Sequence, residues 1–168
     1  MINQKIMCCR NNGGILMKFK NNVHSGISNN RETVITFFDS IPGFNDKKHF
    51  IFLCSREKGP FIVMQSVDEE NLAFITINPW EVLKDYEFKI NDLVKKRLKI
   101  ESPKEILVLA ICNIRGRLES MTVNLAAPIV INYKKRLGKQ VILDNSNYQV
   151  RHPVFSGQSK PGVSKCLF

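Results

Sequence analysis

Met121-Thr122-Val123-Asn124-Leu125-Ala126-Ala127-Pro128-Ile129-Val130-Ile131-Asn132 is an apolar, β-branched run with the composition of a buried strand pair. Two asparagines sit inside it and a proline interrupts it. Proline removes a ladder donor, so Pro128 belongs at a strand edge, a bulge or a sharp corner. An asparagine in such a run must have its amide satisfied, by a neighbouring backbone segment or by the backbone of a ligand. The stretch therefore predicts a built corner of a β structure and a first place to look for a binding site.

Working outward, the same pattern recurs. Residues 32–38, 49–54, 60–66 and 72–77 are short β-branched or aromatic runs separated by turn residues. Residues 106–114 form the longest run, apolar on both faces in places and therefore central. Arg115-Gly116-Arg117 reads as a hairpin turn into residues 118–124, and residues 127–132, 140–143 and 148–150 complete about nine or ten short strands. Residues 17–24 can add a first strand, followed by a turn cluster at 25–30.

Ile41-Pro42-Gly43-Phe44 fits a type II turn, with proline presetting φ and glycine accepting a positive φ. Pro79-Trp80-Glu81 suits one helical turn capped by Asn78. One convincing helix lies at 91–99, with Leu93, Val94 and Leu98 as its apolar stripe and Asn91 or Asp92 as its cap. The expected fold class is mostly β: a small antiparallel β-barrel-like single domain with one main helix. Residues 1–16 read as an N-terminal tail, 17–153 as the domain and 154–168 as a mobile C-terminal tail.

Composition narrows the function classes. The 168 residues are 43% hydrophobic, enough for a buried core. No apolar run approaches the roughly 20 residues of a membrane span, and no secretory signal is visible. Five cysteines, at 8, 9, 54, 112 and 166, form no C-x-x-C pair, so reduced thiols in the cytosol are the simplest reading, with Cys54 and Cys112 as core residues. The formal charge of +10 sits mainly at the ends: residues 32–150 hold 17 basic and 15 acidic residues, a net of +2. Basic arms leave direct nucleic-acid binding as an alternative function, without support from any RNA-binding aromatic motif or zinc-finger spacing.

Catalytic groups do not converge. His24, His49 and His152 lie in unrelated segments, and no H-E-x-x-H, G-x-S-x-G or phosphate-cradling loop occurs. His49 reads as a structural or surface residue, Asp68-Glu69-Glu70 as a solvated turn, and Trp80 as core packing. The expectation is no enzyme, no metal and no cofactor.

In order and spacing, the chain resembles the FliW family of flagellar assembly factors. The likeness rests on Ile41-Pro42-Gly43-Phe44, Gln65-Ser66-Val67-Asp68 with Phe74, Asn78-Pro79 and Asp85-Tyr86. It continues through Ile111, Thr122-Val123-Asn124-Leu125-x-Ala127-Pro128-Ile129-x-Ile131-Asn132, Gln140-Val141-Ile142-Leu143 and Tyr148-x-x-Arg151-His152-Pro153. The Asn-Leu-x-Ala-Pro core is its strongest part. The resemblance implies a small β-barrel-like fold, no catalysis and no cofactor. It implies two cytoplasmic partners: flagellin, and CsrA, an RNA-binding translational repressor. FliW-like proteins bind CsrA away from its RNA site and relieve repression of flagellin translation, until accumulating flagellin displaces CsrA.

Two departures stand out. The family's Gly-Leu-Pro-Gly-Phe is Ser40-Ile41-Pro42-Gly43-Phe44 here, and the chain is basic where the family is often acidic. Candidate partner-binding residues are Pro42, Gly43, Phe44, Gln65, Asn124, Leu125, Pro128, Asn132 and Tyr148. A scaffold role stands beside several: Phe44 as a barrel plug, and Gln65, Asn124 and Asn132 as partners of buried backbone groups.

Overall fold

The computed structural model describes residues 34–54, 60–144 and 147–155. The expected strand at 17–24, the turns at 25–30 and 56–59 and the tail at 1–16 lie outside them, as does the side chain of Cys54. Nine strands form among the described residues: β1 (Ile35–Phe37), β2 (His49–Cys54), β3 (Phe61–Ser66), β4 (Ala73–Ile77), β5 (Ile106–Asn113), β6 (Thr122–Val123), β7 (Ile129–Asn132), β8 (Leu137–Gln140) and β9 (His152–Pro153). Among the described residues one α-helix, α1 (Asp92–Arg97), lies between β4 and β5, flanked by the 3-10 turns Pro79–Glu81 and Pro103–Glu105.

Seven strands close into a barrel in the order β4-β3-β2-β1-β8-β7-β5, with β4 pairing back onto β5. Six of the seven seams are antiparallel, while β1 and β8 run parallel, with Thr36 opposite Leu137. The strand count forces this. In an up-and-down meander of odd number, the first and last strands point the same way, so closure requires one parallel seam. The sheet runs on from β5 into β6 and β9, which stay outside the barrel.

Strand alternation divides the core. Ile35, Phe37, Phe50, Phe52, Ile62, Met64, Leu109, Ile129 and Ile131 fill the barrel. The opposite face of β5 covers two outer clusters. Ile106 and Val108 meet Ile90, Val94 and Leu98 of the helix region, together with Val130 and Val141. Ala110 and Cys112 meet Ile77, Tyr86, Met121, Val123, Leu125 and Val154. Burial pushes the Cys112 thiol up to about 12, consistent with a plain core residue.

Several elements differ from the sequence reading. Helix α1 is shorter than 91–99. Asn91 caps it, its Oδ1 accepting from the Val94 N–H at 2.8 Å, and Lys99 ends it at φ +51°. The N–H groups of Lys99 and Ile100 return to the carbonyls of Lys96 and Lys95, a Schellman closure with lysine where glycine is usual. The left-handed conformation costs a non-glycine residue about 1–2 kcal/mol. Leu93, expected on the apolar stripe, is 77% exposed; Ile90 takes its place against the barrel.

Residues 118–124 hold a 3-10 turn (Leu118–Ser120) before the two-residue β6, rather than one long strand. Strand β8 begins at Leu137, and 141–143 lie beyond it. There the N–H groups of Val141 and Leu143 donate to the carbonyls of Pro128 and Ala126, so pairing continues one-sidedly around the proline corner. No strand forms at 148–150. Val154 is buried and donates to the Met121 carbonyl, so the packed domain continues past 153.

Gly138 was invisible to an apolar-run reading because it packs by having no side chain. A Cβ there would lie 2.8 Å from Cε2 and 3.0 Å from Cζ of Phe37, whose ring is fully buried. Gly138→Ala is expected to cost about 2 kcal/mol by overpacking and to lower Tm by about 4–8 °C. An unchanged urea midpoint would show that the Phe37 ring can yield.

Candidate partner-binding surface

The candidate residues fall into three places. The first is the end of the barrel where the β1–β2 loop meets the β3–β4 turn. Ile41-Pro42-Gly43-Phe44 forms the expected turn: Gly43 has φ +88° and the Phe44 N–H donates to the Ile41 carbonyl at 2.8 Å. Ile41 is buried, whereas Phe44 is 37% exposed, the only exposed aromatic among the described residues. Its ring meets Phe74 edge-on at 4.9 Å, and Phe74 rests on Phe50 inside the barrel. Phe44 is therefore a braced surface aromatic rather than a plug.

Gln65 works beneath it as a clamp. Its Nε2 donates to the carbonyls of Glu70 and Leu72 at 2.9 Å each and of Ser66 at 3.2 Å. Ser66 Oγ accepts from the Asp68 and Glu69 N–H groups. Asp68 then ties this turn to the Phe44 loop. Its Oδ2 accepts from the Lys48 and His49 N–H groups, and its Oδ1 pairs with His49 Nδ1 at 2.9 Å. Partial burial works to raise the Asp68 pKa. The backbone donors of His49 and Lys48 and the His49 ring outweigh it and hold the carboxyl below its usual range. Residues 68–70 are exposed, as the solvated-turn reading has it, and Asp68 is in addition an anchor. Lys47 and Glu69 add an ion pair at 3.2 Å.

The second place is the proline corner. Asn124 Oδ1 accepts from the Ala126 N–H at 3.1 Å, and its Nδ2 makes no hydrogen bond among the described residues. Leu125 and Pro128 are buried, so neither side chain reaches the surface. Tyr86 holds the corner from inside: its hydroxyl donates to the Leu125 carbonyl at 2.7 Å and its ring packs on Trp80, Phe88 and Tyr148. Tyr148 in turn brackets Glu87, accepting from its N–H and donating to its carbonyl. Tyr86 was absent from the nominated residues; its only sequence signal was the Asp85-Tyr86 pair of the family resemblance.

The third place holds Asn132 alone. It is fully buried; its Nδ2 donates to the Leu98 and Lys99 carbonyls at 3.0 Å each, and its Oδ1 accepts from the Lys135 N–H at 3.1 Å. Its amide closes the end of α1 onto the β7–β8 turn and faces no solvent. Among the described residues, no hydrogen bond or ring contact links Phe44 to the Asn124 corner, and no group of three or more His, Cys, Asp or Glu side chains is placed to hold a metal.

This architecture has known relatives. The family model described as FliW protein matches residues 18–154. The chain belongs to the FliW family. It is 43% identical over 139 residues to the flagellar assembly factor FliW of Clostridium novyi, covering 83% of this chain and 97% of that one. It is 37% identical over 131 residues to the flagellar assembly factor FliW of Bacillus subtilis, covering 78% and 92%. A crystal structure of the flagellar assembly factor FliW superposes with a TM-score of 0.73 at 37% identity, covering 79% of this chain and 93% of that one.

Two tests separate scaffold from surface. Asn132→Ala strands the buried Leu98 carbonyl and loosens the half-buried Lys99 carbonyl and Lys135 N–H, and is expected to lose about 2–3 kcal/mol in denaturant unfolding, well beyond the loss from Asn124→Ala. Because Asp68 titrates below its unfolded value, its contribution is present above that value and disappears as pH falls through the folded pKa. Asp68→Asn is therefore expected to lower Tm at pH 7, with the gap from the parent closing below about pH 4. A gap that does not narrow at all as pH falls below about 4 would mean the carboxylate charge is not what holds the loop.

Proposed function

We propose that this chain is a non-catalytic flagellar assembly factor that binds flagellin and the translational regulator CsrA in exchange. Accumulating flagellin would release CsrA to repress flagellin translation. The observation that carries this reading is family membership over nearly the full length of relatives that are named flagellar assembly factors. The proposed site of action is the cytoplasm, with no cofactor; no helix among the described residues is long and apolar enough to cross a membrane.

Flagellin is assigned to the Phe44 end of the barrel. Pro42 and Gly43 set the turn, Gln65 and Asp68 brace it, and Val67, 39% exposed, adds apolar area. A ring already held against Phe74 loses little freedom on binding, which favours it as an anchor. At the second corner the reachable groups are the Asn124 Nδ2 and half-buried Tyr148; buried Leu125 and Pro128 shape it.

Calorimetric titration against purified flagellin and CsrA tests the reading. Phe44→Ala is expected to weaken flagellin binding by about 2 kcal/mol, roughly thirtyfold, and Asn124→Ala by about 1 kcal/mol. Circular dichroism must show each variant folded. Parent-like binding by both folded variants would move flagellin to another face, and no binding of either partner by the parent would end the proposal.

A further inference from the structure

The modest +2 of residues 32–150 is unevenly spread over the surface. Three elements are tied into one face. Asn132 joins the end of α1 to the β7–β8 turn, and the Tyr133 hydroxyl donates to the Lys104 carbonyl in the 3-10 turn Pro103–Glu105. Asp39 pairs with both Arg97 and Lys139, drawing β8 alongside the helix. This face carries Lys95, Lys96, Arg97, Lys99, Lys104, Lys134, Lys135, Arg136 and Lys139, nine of the 17 basic residues in that span. Only Asp39, Asp92, Glu101 and Glu105 are interspersed. Among the described residues, Lys96, Lys99 and Lys104 pair with no acid.

The helix macrodipole accounts for cations in the last turn of α1. It does not account for those of the other two elements. Backbone conformation is a second, independent sign. Of the three non-glycine residues with positive φ among the described residues, two are Lys99 at +51° and Arg136 at +58°, both on this face. Glycine or asparagine suits such positions better, so cationic side chains stand where the backbone disfavours them.

We propose that this face binds the sugar-phosphate backbone of a nucleic acid without reading its bases. Seven of the nine cations are lysines, a residue depleted at protein–protein interfaces that binds phosphate as a point charge without the base-reading fork of arginine. The strongly exposed apolar side chains nearest in sequence are Leu93 and Ile142, and no aromatic on the face is exposed for base stacking among the described residues. Charge repeated across three elements complements a polymer of regularly spaced phosphates. The site lies in the folded body, not only in the basic ends.

The test is fluorescence anisotropy of the full chain with a labelled single-stranded RNA of about 20 nucleotides, from about 50 to 300 mM NaCl. Saturable binding with a Kd of about 1–100 µM that weakens steeply with salt is expected. The triple variant Lys96→Gln, Lys99→Gly, Lys104→Gln is expected to bind at least tenfold more weakly, with its salt slope reduced by about 2. Its Tm should not fall, since Lys99→Gly relieves the left-handed backbone. Single-stranded DNA of the same sequence separates the sources: equal binding means phosphate alone is recognised, and RNA preference adds the 2′-hydroxyl. The proposal is overturned by absent RNA binding at low salt, by a folded triple variant that binds like the parent, or by polyglutamate competing as well as RNA at equal charge.

Discussion

A strand buried on both faces must find apolar partners in two directions, and β5 meets that demand with every residue from Ile106 to Cys112. Leu107, Leu109 and Ile111 face the barrel interior, while Ile106, Val108, Ala110 and Cys112 face the helix and the Tyr86 cluster. Its edges are equally committed: β5 pairs with β4, β7 and β6. The barrel closes through β5, and both outer clusters rest on it, joined by Val130 of β7 in one and Ile77 of β4 in the other. At about 1.5–3 kcal/mol for each large side chain removed from water, this strand outweighs any single polar contact in the domain.

Much of this was legible. A continuous apolar run at 106–114 can only be a central strand, and the Pro-Gly turn at 42–43 announced its own geometry. What escaped were elements defined by what they lack. Strand β8 reads Leu137-Gly138-Lys139-Gln140 and has no apolar stripe; Gly138 sits where Phe37 occupies the space a side chain would fill. The parallel β1–β8 seam escaped for another reason. It follows from the number of strands in the closed ring, a global property that no local window contains.

The candidate site was legible as a set of residue positions and illegible as a set of roles. Asn124 and Asn132 look alike in sequence. One sits at a half-buried corner with an Nδ2 group left over, and the other spends its whole amide on the end of α1 and the turn beside it. Leu125 matters through its carbonyl, which receives the Tyr86 hydroxyl, while its side chain is core. Asp68 read as one of three solvated acids and is a junction between two loops. Roles of this kind depend on which backbone groups from distant segments arrive nearby, and periodicity carries no such information.

Locating the charge also changes what the formal +10 means for partner choice. Set aside the nine cations and four acids of the α1 face, and residues 32–150 retain eight basic and eleven acidic residues. The remainder of that span is net acidic. Asp46, Asp68, Glu69 and Glu70 belong to the two loops that frame Phe44. A basic RNA-binding partner would thus still meet acidic surface on this chain, while the phosphate-binding face proposed here lies on the helix side. Steering depends on the local field within about a Debye length, near 8–10 Å at ordinary ionic strength, rather than on the net charge of the whole chain. A chain that is basic overall can therefore present acidic and basic surface to different partners wherever the two kinds of charge are held on separate elements, as on the Phe44 loops and the α1 side here.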